Sequence, residues 1–272
     1  MRVAIAAIFL FVSTGVAAAQ KVTFSEAPKA EIVKRVEHEP AGNRERAAQI
    51  EAWFRQEGCT GESLREQPVS SADGPNIICE LRGKTAQSII VGAHYERSTS
   101  ANRPFDDWSG AALLPDLYHC LSDKDRRHTI IFVAFADRGD SVAGAETFAA
   151  HMTVSELART EAMVNLDVLG LSPTKVWPDH SDKELVHLLM VMVYAMKIPA
   201  SQVDIGLAGR SDSEPFAARQ VPQITVHSLT RQNLLSRRAG AFTPQHYYGS
   251  YRLLCGYLGY LDKKLKKKSH AE

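Results

Sequence analysis

The stretch SIIVGAHYERSTSANRPFDDWSG, residues 88–110, decides the fold. Its apolar run Ile89-Ile90-Val91 stops at Gly92-Ala93-His94, with Tyr95-Glu96 directly behind. Asp106-Asp107 then opens an apolar, helix-like run from Trp108 to Leu121. A strand that stops at a histidine, followed by an acid at the start of a helix, is how an α/β protein brings metal-binding side chains to one edge of its sheet.

Outward from this stretch, strand and helix patterns alternate. Thr129–Ala136 (TIIFVAFA) is a continuous apolar run, as in a strand buried on both faces. Ala162–Leu169 and Pro222–His227 also read as strands. Ala143–His151, Asp182–Met196, Ser211–Arg219 and Pro244–Lys264 read as helices. Upstream, Asn43–Glu57 has helical spacing at Ala47, Ile50, Trp53 and Phe54. Ser63–Val69 and Asn76–Arg82 flank a turn-rich cluster and form a hairpin or sheet edge. The alternation predicts an α/β fold, a three-layer α/β/α sandwich with a mostly parallel central sheet, over residues 41–264. Residues 20–40 are polar and read as extended, and residues 265–272 as a basic tail.

The chain opens Met1-Arg2, continues with apolar Val3–Val12 and reaches Ala17-Ala18-Ala19. This is the pattern of a secretory signal peptide, residues 1–19, and predicts a periplasmic or secreted product. An N-terminal anchor helix is the other reading, but a span needs ~20 apolar residues and this run is shorter. No other segment is apolar enough to span a membrane. The sequence holds 32 basic and 31 acidic side chains, and removing Arg2 with the leader balances them. That balance argues against a nucleic-acid partner. The run Lys263–Lys268 reads as a solvated end, with attraction to anionic envelope surfaces as the second reading. Among Cys59, Cys79, Cys120 and Cys255, the first pairing to test is Cys59–Cys79. Free buried thiols are the alternative.

In sheets of this kind the site lies beyond the carboxyl ends of the strands. His94, Asp137-Arg138 and Asp167 each fall at or near such an end, and Asp106 precedes a helix. Imidazole with carboxylates suits zinc or a similar ion. Each residue also has a plainer role. His94 serves as a hydrogen-bonded strand end, Asp106 and Asp107 as helix caps, and Asp167 as a structural acid. Asp167 resists that reading most, because a buried carboxylate needs a partner. No His-Glu-x-x-His, Gly-x-Ser-x-Gly or glycine-rich phosphate loop occurs.

Four segments, Gly92-Ala93-His94-Tyr95-Glu96, Asp106-Asp107-Trp108-Ser109-Gly110, Asn165-Leu166-Asp167-Val168-Leu169-Gly170 and Ser211-Asp212-Ser213-Glu214-Pro215-Phe216, stand in order. With them the chain resembles the co-catalytic zinc exopeptidases of metallopeptidase family 28. That family includes secreted bacterial aminopeptidases, glutamate carboxypeptidase and glutaminyl cyclase. The resemblance implies His94 and Asp167 as metal ligands, Asp106 as the carboxylate bridging two metals, and Glu96 as the group that orients His94.

The chain also departs from the family. Where the family carries Glu-Glu, a water-activating base and a metal ligand, this chain has Arg138-Gly139. Glycine supplies no ligand, and arginine cannot accept a proton at a pKa above about 12. Asp137, one residue early, is the nearest replacement base. The family's last histidine falls near Leu235 here; His227 and His246 lie on either side. The resemblance with these losses implies an exported pseudo-peptidase that binds a peptide-like ligand or protein partner, with one zinc ion or none. Without zinc, Arg138 would take over the ion's charge by pairing with Asp106 or Asp167. The alternative is an active aminopeptidase-like exopeptidase with a one-metal site on His94, Asp106 and Asp167.

Overall fold

The computed structural model describes residues 24–96, 108–137, 141–205, 210–236 and 240–265. Among them an eight-stranded mixed sheet runs β1 (Leu64–Gln67), β2 (Asn76–Leu81), β4 (Thr129–Phe135), β3 (Ser88–His94), β5 (Thr160–Leu166), β8 (Gln223–His227), β6 (Thr174–Val176), β7 (Ala200–Gln202) in spatial order. The four central strands are mutually parallel. Antiparallel β2 and β6 join them to the outer strands.

The apolar strands read from sequence are the buried centre. Ile89, Ile90 and Val91 of β3 have no exposed surface, and each such side chain is worth about 1.5–3 kcal/mol on burial. Alternation splits them between two layers. Ile89 and Val91 join the layer with α1 (Lys29–Glu37), α2 (Asn43–Gln56), α3 (Trp108–Ser122), α6 (Lys183–Met196) and α9 (Pro244–Lys264). Ile90 packs on the opposite face with Phe148 of α4 (Ala143–His151), Leu157 of α5 (Val154–Arg159) and Phe216 of α7 (Glu214–Ala217). A smaller cluster of Val168, Trp177, Ile205 and Leu229 receives Leu234 of α8 (Arg231–Ser236).

One expectation is corrected. Residues 20–40 are not uniformly extended, because α1 occupies Lys29–Glu37. Its Ile32 and Val36, one turn apart, are buried. A nine-residue helix is marginal alone, so tertiary contacts decide it. Arg35 pairs with Asp116 of α3 (2.6 Å) and with Glu57, and the indole N–H of Trp108 donates to the Val36 carbonyl (3.1 Å).

All four cysteines are bonded. Cys59–Cys79 ties the end of α2 to β2, as the sequence suggests, and Cys120–Cys255 ties α3 to α9. Among the described residues no helix is long and apolar enough to cross a membrane.

At the amino ends of the parallel strands, His128 is fully buried between two carboxylates, Asp262 of α9 (3.0 Å) and Glu161 of β5 (2.9 Å). Burial alone would lower the imidazole pKa, but the hydrogen bonds to Asp262 and Glu161 prevail and raise it above 6.5. For Asp262, burial raises the pKa, while bonds from the His128 ring and the His128 and Arg127 amides bring it below 3.8. The histidine's contribution is complete below its unfolded value and fades as pH rises through the folded one. The aspartate's contribution is present above its unfolded value and is lost in acid. His128→Gln is therefore expected to cost about 3 kcal/mol at about pH 5.5 and clearly less at about pH 8.5. Urea unfolding at both values checks this; a gap that widens with pH would contradict it.

Candidate metal centre

Parallel pairing sets His94 at the end of β3 opposite Phe135 at the end of β4. Asp137 follows two residues beyond Phe135. A third residue reaches the same point from another element. Asp212, in the turn ahead of α7, has its Oδ2 2.5 Å from Nδ1 of His94. Ligand atoms of His94, Asp137 and Asp212 all lie within 4.8 Å of one another. The three residues are 4%, 1% and 0% exposed, and neighbouring Glu96 is 1% exposed.

Local structure holds each group in place. Asp137 Oδ1 accepts from the Gly144 amide at 2.9 Å. That contact needs glycine, since a Cβ at 144 would lie 2.6 Å from the Ala136 backbone. The Asp212 turn rests on a triangle of hydroxyls: Ser211 to Ser213 (2.9 Å), and each of these to Thr225 of β8 (3.0 Å). The side-chain amide of Asn165 on β5 donates to Ser211 Oγ at 3.1 Å. Three residues after Ser213, Phe216 packs on Phe135 and Phe148. Asp212 is thus fixed by hydroxyl bonding on one side and aromatic packing on the other.

The electrostatics favour a cation. Burial pushes the Asp137 carboxyl well above the usual range, the charges of Asp212 and Glu96 push further, and His94 and the Gly144 amide oppose them. Carboxylates gathered in one buried place cannot all stay ionised without a positive partner. Asp137 Oδ2 has no hydrogen-bond partner among the described residues. One imidazole and two carboxylates around an orphaned oxygen form a donor set that suits zinc.

The other sequence candidates fall elsewhere. Asp167 lies just past β5 at the same sheet edge, half-buried, with its Oδ1 accepting from the Val168 amide (2.8 Å). It joins no group of three potential ligands among the described residues. Asp106, Asp107, Arg138, Gly139, Arg237 and Arg238 lie outside the described residues. His227 is committed to its own loop: Nε2 donates to the Val203 carbonyl and Nδ1 accepts from the Leu229 amide, both at 3.1 Å. Burial lowers its pKa to about 4, so it stays neutral with both nitrogens satisfied. His246 lies half-buried in the first turn of α9. The rest of the motif pattern is packing. Ser109 accepts from the Leu169 amide (2.8 Å), and Gly170 takes φ +89°, which favours glycine.

Sequence reading gives Asp212 no role, although it quotes the segment. A lone acid ahead of Pro-Phe looks like a helix-capping residue, and its reach to His94 appears only when the turn is folded against β8.

Solved structures share this architecture. The Legionella pneumophila LapA aminopeptidase superposes with a TM-score of 0.68 at 14% identity, covering 92% of this chain and 79% of that one. A glutaminyl cyclase from an Acidobacteriales bacterium gives 0.64 at 17% identity, covering 91% and 100%. A zinc aminopeptidase from Bacillus subtilis gives 0.58 at 18% identity over 71% of this chain, which spans about half (52%) of that protein. No curated protein sequence matches the chain. The sequence profile described as peptidase family M28 matches residues 76–249. The strand-end histidine, the ordered motifs and this match lead to one conclusion: the chain belongs to peptidase family M28.

Proposed function

We propose that this chain is an exported member of the family that binds a peptide-like ligand in its cleft over a single divalent cation and does not hydrolyse peptides through a metal pair. One observation carries the reading. The sequence puts Arg138-Gly139 where the family has its base and second ligand, directly after the one acid, Asp137, that gathers with His94 and Asp212. The donors present fit one ion. For a second ion the sequence offers an arginine and a glycine in place of two acids, and an arginine carries charge of the ion's own sign.

His94, Asp137 and Asp212 would hold the ion. A divalent ion supplies Lewis acidity there, polarising a carbonyl or lowering the pKa of a bound water. The chain's own part is to orient His94, keep bulk water from the buried carboxylates and present a ligand with a fixed concentration of charge. Export is supported by the leader-like start and by two disulfides, which persist in oxidising compartments.

A second reading is a one-metal exopeptidase with Asp137 as the base. It is favoured by the orphaned Asp137 Oδ2 inside the cluster. Metal content of the purified chain, together with turnover of aminoacyl and peptide reporters at saturating zinc, separates the two. One equivalent of zinc without turnover is the expected result. Turnover abolished by Asp137→Asn would establish the second reading instead.

A further inference from the structure

The loop that carries Asp137 leaves and returns past one side chain outside the metal centre. Asn76, the first residue of β2, is fully buried. Its Oδ1 accepts from the Ala136 amide, directly ahead of Asp137, at 2.8 Å. Its Nδ2 donates to the Gly144 carbonyl at 2.9 Å. The amide of the same Gly144 donates to Asp137 Oδ1.

The other Nδ2 hydrogen goes to Gln67 Oε1 at 2.8 Å, and Gln67 stands opposite Asn76 in the antiparallel β1–β2 pair. Both donors of the amide are thereby used. The Ala136 N–H requires an oxygen, which fixes the orientation of the group. The sheet itself does not hold the neck of this loop. Pairing of β4 ends at Ala134 on the β2 side and at Phe135 on the β3 side, so Ala136 lies beyond both ladders. At the other end of the loop, α4 starts after Val142, whose side chain makes no cap bond. Asn76 is the side chain that ties the two ends together.

Asp137 needs such restraint. Its carboxyl lies beside Asp212 and Glu96, whose charges oppose its own. An unrestrained loop relieves that repulsion by carrying Asp137 outward whenever no cation is bound. Ordering it again costs free energy at each binding event. A ligand group held in place beforehand avoids that cost, and the gain appears as affinity.

The structure assigns Asn76 as the positioning residue of the metal centre: it staples the neck of the Asp137 loop, so that the carboxylate stands beside His94 and Asp212 before an ion arrives. Asn76 offers the ion no ligand and acts through Asp137. Loss of a group that orients a metal ligand costs about 10–100-fold in affinity. The inference rests on the proposed binding of one cation by His94, Asp137 and Asp212.

The test is zinc titration of the purified chain in competition with a chromophoric chelator, well below the melting temperature. Asn76→Ala is expected to bind zinc about 10–100-fold more weakly than the parent. It also lowers the stability of the metal-free chain, so a melt alone does not decide. Ile32→Ala, in the buried face of α1, supplies the comparison: it is expected to melt lower and to keep the parent's zinc affinity. If Asn76→Ala does not fold, Asn76→Ser, which retains a hydroxyl for the Ala136 amide, carries the same comparison. Zinc affinity unchanged in the folded Asn76 variant, or weakened equally in Ile32→Ala, would overturn the proposal while leaving the single-cation reading in place. A parent chain that binds no zinc would remove that reading, and the role of Asn76 with it.

Discussion

Asp212→Asn is expected to weaken zinc binding about 100-fold or more while leaving the fold intact. Even a residue that only supports a metal ligand costs 10–100-fold when lost, and Asp212 offers a ligand atom of its own beside His94. The readout need not be activity. A ligand at about 100 times its Kd stabilises the folded state by about 2.7 kcal/mol, or roughly 5–10 °C in Tm for a domain of this size. That rise should appear in the parent chain and vanish in the variant. Asp167→Asn is the control. If the ion instead follows the ligand set implied by the family pattern, His94, Asp106 and Asp167, then Asp167→Asn removes the zinc-dependent rise and Asp212→Asn does not.

Removing Cys120–Cys255 is expected to be the largest single loss of stability. The bond closes a loop across 135 residues, whereas Cys59–Cys79 spans 20. Restricting the unfolded chain over so long a loop contributes about 4–5 kcal/mol, against about 3 kcal/mol for the shorter one. The bond also holds α9 against α3, and therefore the end of the sheet where His128 sits. The Cys120→Ala/Cys255→Ala chain should melt roughly 10 °C below the parent. The Cys59→Ala/Cys79→Ala chain should fall by less. Thermal melts under non-reducing conditions decide the order, and a larger loss from the shorter loop would contradict the chain-entropy argument.

Much of the architecture is legible because burial on both faces leaves a strong mark. TIIFVAFA has the pattern of a strand covered on both faces, and β4 occupies Thr129–Phe135 within it. The closing helix, predicted over Pro244–Lys264, has those bounds, since its Pro sits in the first turn and its aromatic spacing is helical throughout. The short elements are not legible. β6 and β7 have three residues each, too few to show a period. Helix α1 sits in a polar stretch, and only Arg35, Ile32 and Val36 docking on α3 and its surroundings make it helical.

The site divides in the same way. His94 stands out because a histidine ends an apolar run, and Asp137 because it follows one. Asp212 does not, for it falls at the start of Ser211–Arg219, a segment that reads as a short helix. The candidates His227 and Asp167 also look alike in sequence. Hydrogen bonding separates them, because both nitrogens of His227 are occupied by its own backbone surroundings.

By itself the sequence determined the layered sheet and the family, because hydrophobic period and residue identity are local properties. Only the tertiary structure decided that Asp212, from a distant segment, joins Asp137 at His94. Convergence of side chains from distant segments depends on strand register and turn packing, which no local pattern encodes.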